Sequence, residues 1–181
     1  MENNLKGLLC GGNTKFGKVF GELLKQHCDL TIPTREQLNS PEIIKFIDDD
    51  YDFIFFNHNR GSSGFLKIDE AIEIDVKLPY RIVAKQTKLR RSWNKVGWMT
   101  TGDAHLHMGY PTEQYSLDEG IQAYLLIKSA HQGQQRFWGQ KYNTFVCDPG
   151  RLNEENYLTK AEKLLDFFLS DKDDDIVFLS I

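Results

Sequence analysis

The run Asp52-Phe-Ile-Phe-Phe-Asn57 constrains the fold more than any other stretch, because four consecutive large apolar residues leave neither face of a strand for water. A strand apolar on both faces belongs inside a sheet covered by helices on both sides, as in parallel α/β proteins. The remainder of the chain supplies the pieces. Residues 5–10 are a short apolar run ending in Gly11-Gly12, and residues 17–25 then repeat Val19, Phe20, Leu23 and Leu24 at helical spacing. Residues 29–32 predict a second strand, closed by Pro33. Ser40 followed by Pro41 marks a helix start, with Ile43, Ile44, Phe46 and Ile47 along it before Asp48, Asp49 and Asp50. A long helix is predicted over 68–91, with Ile72, Val76, Ile82 and Val83 inward and a bend near Pro79. Residues 96–101, 144–147 and 176–179 read as strands, and helices begin at Ser116 and span 158–169. Strands alternating with helices over short connections predict a doubly wound, mostly parallel sheet of six or seven strands, in one domain covering 1–181.

Composition narrows the partners. A net charge of -4, with Lys and Arg scattered along the chain, argues against nucleic acid or an anionic membrane surface. The short basic run Lys88-Leu-Arg90-Arg91 reads as a solvated helix end. The N-terminus has no charged-then-apolar leader, and no apolar run approaches the ~18 residues of a membrane helix, so a cytoplasmic protein is expected. Cys10, Cys28 and Cys147 are odd in number and widely spaced, which predicts free buried thiols. His105 and His107 have no third ligand placed to complete a metal site and are expected on the surface.

Two stretches carry chemistry. In Ser116-Leu-Asp-Glu119, the S-x-x-E pattern forms a capping box with acids in the first turn, so a helix starts there. On that helix Tyr124 and Lys128 are four residues apart and share a face. A phenol titrates near ~10 in water, and a fixed cation beside it stabilises the phenolate and brings that value toward neutrality. The pair is therefore either a proton-transfer unit or a chance surface neighbourhood. Gly11-Gly-Asn13-Thr-Lys15-Phe16-Gly17 is the second stretch, where amides at a helix start face an anion and glycines admit a pyrophosphate to the main chain. It reads as a dinucleotide loop or as a plain strand-to-helix turn. Asn57-His58-Asn59 opens a polar, glycine-bearing loop where α/β sheets bind ligands.

In this order the elements resemble the short-chain dehydrogenase/reductases, a Rossmann family that moves hydride between a nicotinamide cofactor and a carbonyl or alcohol, and the resemblance covers nearly the whole chain. It implies that Gly11, Gly12, Asn13, Lys15, Phe16 and Gly17 hold the cofactor and that Asn57, His58 and Asn59 stand for the Asn-Ala-Gly after the fourth strand. Asp75 falls where the family has a structural or catalytic Asn, and Thr101 where a Ser or Thr polarises the substrate. Tyr124 and Lys128 match YxxxK, and Pro149-Gly150 matches the pair after the following strand. Arg35, just past the second strand, implies NADP(H) in preference to NAD(H). The region after Thr31 resembles members that reduce nucleotide-linked sugars. A homodimer through the two long helices is implied as well. The departures are Asp75 for Asn, Thr14 or Lys15 for the middle glycine, a long interval from Thr101 to Tyr124, and the absence of the insertion that covers the substrate between Pro149-Gly150 and the last helix.

Two functional readings follow. The first is an NAD(P)-dependent oxidoreductase acting on a small carbonyl or alcohol, with Tyr124 as general acid/base, Lys128 lowering its pKa and binding the nicotinamide ribose, Thr101 on the reacting carbonyl, and Asp75 in the remaining catalytic position. The second is a catalytically inactive Rossmann module that binds a nucleotide or a protein. The intact Tyr-Lys pair and the strand-ending Thr101 favour the first; the altered glycine loop and the missing substrate cover favour the second.

Overall fold

The apolar run at 53–56 forms a strand that is buried throughout: Phe53 is 3% exposed, and Ile54, Phe55 and Phe56 are completely covered. The computed structural model describes residues 5–38, 40, 43, 50–57, 68–89, 95–100, 119–150, 152–170 and 178–181. Within them β1 (Lys6–Cys10), β2 (Asp29–Thr31), β3 (Phe53–Phe56), β4 (Lys95–Met99), β5 (Thr144–Asp148) and β6 (Phe178–Ser180) make one six-stranded sheet. Its order is β2-β1-β3-β4-β5-β6, with every neighbouring pair parallel. The direction of winding reverses once. β2 lies on one side of β1 and β3 on the other, so a crevice opens at the carboxyl ends of β1 and β3, the usual place for a ligand in such sheets.

Helices cover both faces. On one side α1 (Lys15–Leu24) and α6 (Tyr157–Leu169) pack Phe20, Leu24, Leu164 and Phe168 against Leu9, Phe55 and Phe145 of the sheet. Aromatic rings dominate this layer: Phe20 lies 5.6 Å from Phe55, and Phe168 lies 5.6 Å from Phe55 and 5.4 Å from Phe145. Opposite it, α4 (Leu78–Leu89) brings Leu78, Ile82 and Val83 onto Ile54, Phe56, Val96 and Trp98, and α5 (Glu119–Trp138) runs beside β4 and β5. Short α2 (Arg35–Leu38) follows β2.

The expected bend near Pro79 is a change of helix type. From α3 (Ile68–Ala71) the chain passes through a π-helical turn, Ile72–Lys77, before α4. The wider turn shifts the buried stripe: Ile74, Asp75 and Leu78 are covered, while Ile72 and Val76, expected inward, are half-buried. Ile82 and Val83, beyond the turn, face inward as expected.

A buried cation ties β4 to α6. Lys95, 3% exposed, donates to Phe167 O, to Ser170 O at 2.7 Å and to Ser170 Oγ at 3.1 Å, and its ammonium lies 4.5 Å from the Phe167 ring centre. The negative end of α6 and an aromatic face thus share one positive charge. The three thiols are free; Cys10 and Cys147 are buried, whereas Cys28 is half-buried because it sits at the turn after α1.

Packing between β4 and β5 leaves no room at Gly97, where a Cβ would lie 2.3 Å from Phe145 Cζ. Gly97→Ala is expected to lower the free energy of unfolding in urea by about 1–3 kcal/mol, through displacement of a ring held among other rings. Gly133→Ala, on α5 with nothing within 4 Å of the added methyl, is expected to raise it by about 0.5–1 kcal/mol.

Candidate active site

The loop after β1 is held by one hydroxyl and one amide. Gly11 adopts φ 85°, a conformation that L side chains rarely adopt, and turns the chain toward α1. Thr14 caps that helix: its Oγ1 accepts the Gly17 N–H at 2.9 Å and donates to Gly11 O at 3.0 Å. Asn57, 2% exposed at the end of β3, reaches across with Nδ2 to Thr14 Oγ1 at 2.7 Å and to Gly11 O at 3.2 Å. The crossing is so close that a Cβ at Gly17 would lie 2.3 Å from Gly11 O and 2.7 Å from Asn57 Nδ2. β1, α1 and β3 are thereby clamped at the crevice.

The clamp leaves a cradle for an anion. The N–H groups of Lys15 and Phe16, at the first turn of α1, have no carbonyl four residues back inside the helix and carry its positive end. Phe16 contributes only its amide, since its ring is 3% exposed and stacks on Phe20 at 6.1 Å. Gly12 is buried and Asn13 exposed. The exposed Lys15 ammonium pairs with Glu154 at 2.9 Å; this contact raises the lysine pKa and lowers that of the carboxylate. These residues fit a dinucleotide's phosphates in charge and in backbone access.

The second half of the site is built on the end of β4. Lys128, 1% exposed, projects from α5 and donates from Nζ to Met99 O at 3.0 Å. Burial pushes its pKa down to about 8, partly opposed by the charge of Asp75, itself 3% exposed in the π-helical turn. Its neighbours on the helix are polar and buried. His131 contacts Met99 O through Nδ1 at 3.1 Å and Asp75 O through Nε2 at 2.6 Å. Gln132 Nε2 lies 3.5 Å from Thr100 Oγ1, and Gln135 Nε2 donates to Thr144 O at 3.0 Å while Thr144 Oγ1 donates back to Gln135 O at 3.0 Å.

Other expected site residues ring the same edge. Arg35 is exposed as the first residue of α2, beyond β2. After β5, Pro149 is buried and its carbonyl accepts from Lys160 Nζ, and Gly150, at φ 59°, donates its N–H to Asp148 Oδ1 at 2.8 Å. Thr101, His58, Asn59, His105, His107 and the Ser116 capping box lie outside the described residues. Tyr124 has its backbone in α5, one turn before Lys128, and its side chain lies outside the described part. Gly11, Thr14, Gly17 and Asn57 come together, as do Asp75, Lys128 and Met99. Sequence reasoning missed His131, Gln132 and Gln135. Their signal is a polar stripe at steps of three and four from Lys128, in phase with the helix and facing the sheet.

At the level of sequence no protein family and no curated protein matches the chain. Solved structures do. Serine dehydrogenase from Escherichia coli superposes with a TM-score of 0.75 at 11% identity, covering 98% of this chain and 97% of that one. A short-chain dehydrogenase/reductase from Serratia marcescens gives 0.66 at 12% identity, covering 98% and 95%. A GDP-mannoheptose C4 reductase from Campylobacter jejuni with NADP bound gives 0.60 at 15% identity, covering 82% of this chain and 52% of that one. The chain spans about half the length of the three Campylobacter GDP-heptose enzymes among these structures (47%, 52% and 55%). The fold is that of the short-chain dehydrogenase/reductases.

The buried lysine makes stability depend on pH. Its folded pKa of about 8 lies below the ordinary 10.5, so between those values the unfolded chain binds the extra proton and stability rises as pH rises. The shift corresponds to ~3 kcal/mol of cost, fully present below about pH 8 and relieved by about 10.5. Urea unfolding at several pH values should register that rise, and Lys128→Met should flatten it. Parallel profiles for the two proteins would mean that Lys128 is not buried as a cation.

Proposed function

We propose that this protein is a nicotinamide-dependent oxidoreductase acting on a carbonyl or alcohol. The observation that carries this reading is Lys128, a completely buried ammonium anchored on the end of β4, one helical turn after Tyr124. Burying a cation is costly, and a chain that needs only packing at that point would place a Leu or Met there. The fold shared with dehydrogenases and with an NADP-bound reductase supports the same reading.

In this proposal the first-turn amides of Lys15 and Phe16 hold the dinucleotide's phosphates, Gly11, Gly12 and Gly17 keep the approach clear, and Pro149-Gly150 borders the crevice. Exposed Arg35 and Lys15 supply positive charge that favours NADP(H) over NAD(H). Bound there, the dinucleotide supplies or accepts the hydride. Tyr124 gives its hydroxyl proton to the substrate oxygen in reduction and takes it back in oxidation. Lys128 stabilises the phenolate that results and donates to the ribose. Thr101 orients the substrate oxygen, and Asp75 supplies the counter-charge that keeps Lys128 protonated for part of the cycle.

A thermal-shift and calorimetric screen with NAD⁺, NADH, NADP⁺ and NADPH tests the first half of this. Saturation at a hundredfold excess over Kd should stabilise the fold by ~2.7 kcal/mol, most readily with the NADP pair. Tyr124→Phe should keep that binding and lower kcat by about 10²- to 10⁴-fold with little change in KM. Failure of all four dinucleotides to bind overturns the proposal. Binding without any turnover on a panel of carbonyls would instead favour the inactive nucleotide-binding module, which one feature supports: Thr14 already occupies the Gly17 N–H that a phosphate could have used.

We also propose a homodimer through the outer faces of the π-helical turn, α4 and α5. A groove of about 500 Å³ runs between them, bordered by Val76, Tyr80, Ala130, Gly133 and Phe137, with Tyr80 46% and Phe137 57% exposed. Two copies meeting there would cover both rings by a two-fold contact. Light scattering at tens of micromolar should give a dimer for the natural chain and a monomer for Gly133→Lys, whose side chain enters open space in the isolated chain and should spare the fold. A monomeric natural chain refutes this assembly.

A further inference from the structure

Pro79 sets up a contact that the proposed chemistry does not use. In an α-helix the carbonyl of residue 75 accepts the N–H of residue 79, but proline has no N–H and its ring crowds that carbonyl. The chain answers with the π-helical turn, in which Leu78 N–H reaches back five residues to Glu73 O. Two carbonyls next to the proline are then met by side chains of α5: His131 Nε2 lies 2.6 Å from Asp75 O, and Gln134 Nε2 donates to Val76 O at 2.8 Å. The other ring nitrogen of His131 lies 3.1 Å from Met99 O, the oxygen that also accepts Lys128 at 3.0 Å. His131 is completely buried.

We propose that His131 is a positioning residue acting through Lys128: as an imidazolium spanning Asp75 O and Met99 O, it fixes the oxygen that anchors the lysine and biases that lysine toward its uncharged form. Each ring nitrogen lies against a carbonyl oxygen, which only accepts. A neutral imidazole has one N–H and would set a lone pair against one of them, whereas the imidazolium satisfies both. Titratable residues placed beside it include Asp75, from the π-helical turn, whose main-chain oxygen it meets, and Lys128, from α5 itself, which shares Met99 O with it; β4 presents Met99 O and the uncharged Thr100. The charge of Asp75 acts on Lys128, and its main-chain oxygen meets His131. Two acceptors favour a proton on each ring nitrogen, and a second positive charge so close favours the uncharged form of Lys128, adding to the burial that lowers its pKa.

The effect on Lys128 is a property of the free protein; only its consequence for turnover rests on the oxidoreductase reading. The test is therefore made on the ligand-free chain by NMR. Imidazole ¹⁵N shifts of His131 in the natural protein should report both nitrogens protonated at pH 7, and a neutral tautomer there overturns the proposal whatever the variants do. The ¹³Cε titration of Lys128, assigned by its loss in Lys128→Met, should move up toward the ordinary lysine value in His131→Leu. His131→Gln, which keeps a neutral donor for one carbonyl, should move it up as well. An unmoved midpoint in a folded variant also refutes the proposal. A moved midpoint in a chain that binds no dinucleotide would sink the oxidoreductase reading and leave this one standing. The converse pattern, dinucleotide binding with an unmoved lysine, would do the reverse.

Discussion

The parallel pairing of β1 with β3 is the constraint on which the rest depends. Because β3 is apolar on both faces, it needs neighbours on each side in the sheet and helices above and below, and the chain can supply these only through crossovers that return every strand in the same direction. All strands then end on one side. The winding reverses at β1, so the loops after β1 and β3 separate into a crevice, and Asn57 spans it from below with two hydrogen bonds to the loop of α1. A feature chosen by hydrophobic burial thus delivers the polar edge where chemistry is possible.

The other half of that edge has a different physical basis. α5 turns Lys128, His131, Gln132 and Gln135 toward the sheet, each almost or completely buried, and leaves Leu126 and Phe137 more than half exposed. Buried polar groups need partners, and here Lys128, His131 and Gln135 meet the main-chain oxygens Met99 O, Asp75 O and Thr144 O, while Gln132 has only the Thr100 hydroxyl near its Nε2 and no partner for its Oε1 among the described residues. The end of β4 and the π-helical turn are therefore fixed by the same helix that carries the tyrosine. Local distortion at Pro79 and the placement of the lysine belong to one network.

This division decides what could be read from the sequence. β3, the Gly11 turn, the alternation of strands and helices, and the spacing of Tyr124 and Lys128 follow from burial of apolar side chains and from helical geometry, and they were legible. The bend near Pro79 was legible as a bend, but not as a wider turn, because a proline reports a lost N–H without saying how the chain absorbs the loss. The phase of Ile72 and Val76 was wrong for that reason. His131 and its neighbours carry no such signal, because polar residues on a helix ordinarily form its solvent face. Cys28 was expected to be buried like Cys10 and Cys147, and a turn position next to Asp29 and Asp52 gives it partial exposure and a thiol pKa pushed up to about 11, chiefly by burial.

The two outermost strands have a consequence for how such molecules can meet. At opposite edges of the sheet, β2 is three residues long, Asp29–Thr31, and β6 spans Phe178–Ser180 among the described residues. An edge as short as β2 offers few unpaired amides and carbonyls to an incoming strand, which protects that side of a parallel sheet against sticking to its copies. Exposed Asp29 within β2 and Pro33, two residues after its end, add to that protection. Association that does occur is directed to a surface where side chains, rather than backbone, choose the partner.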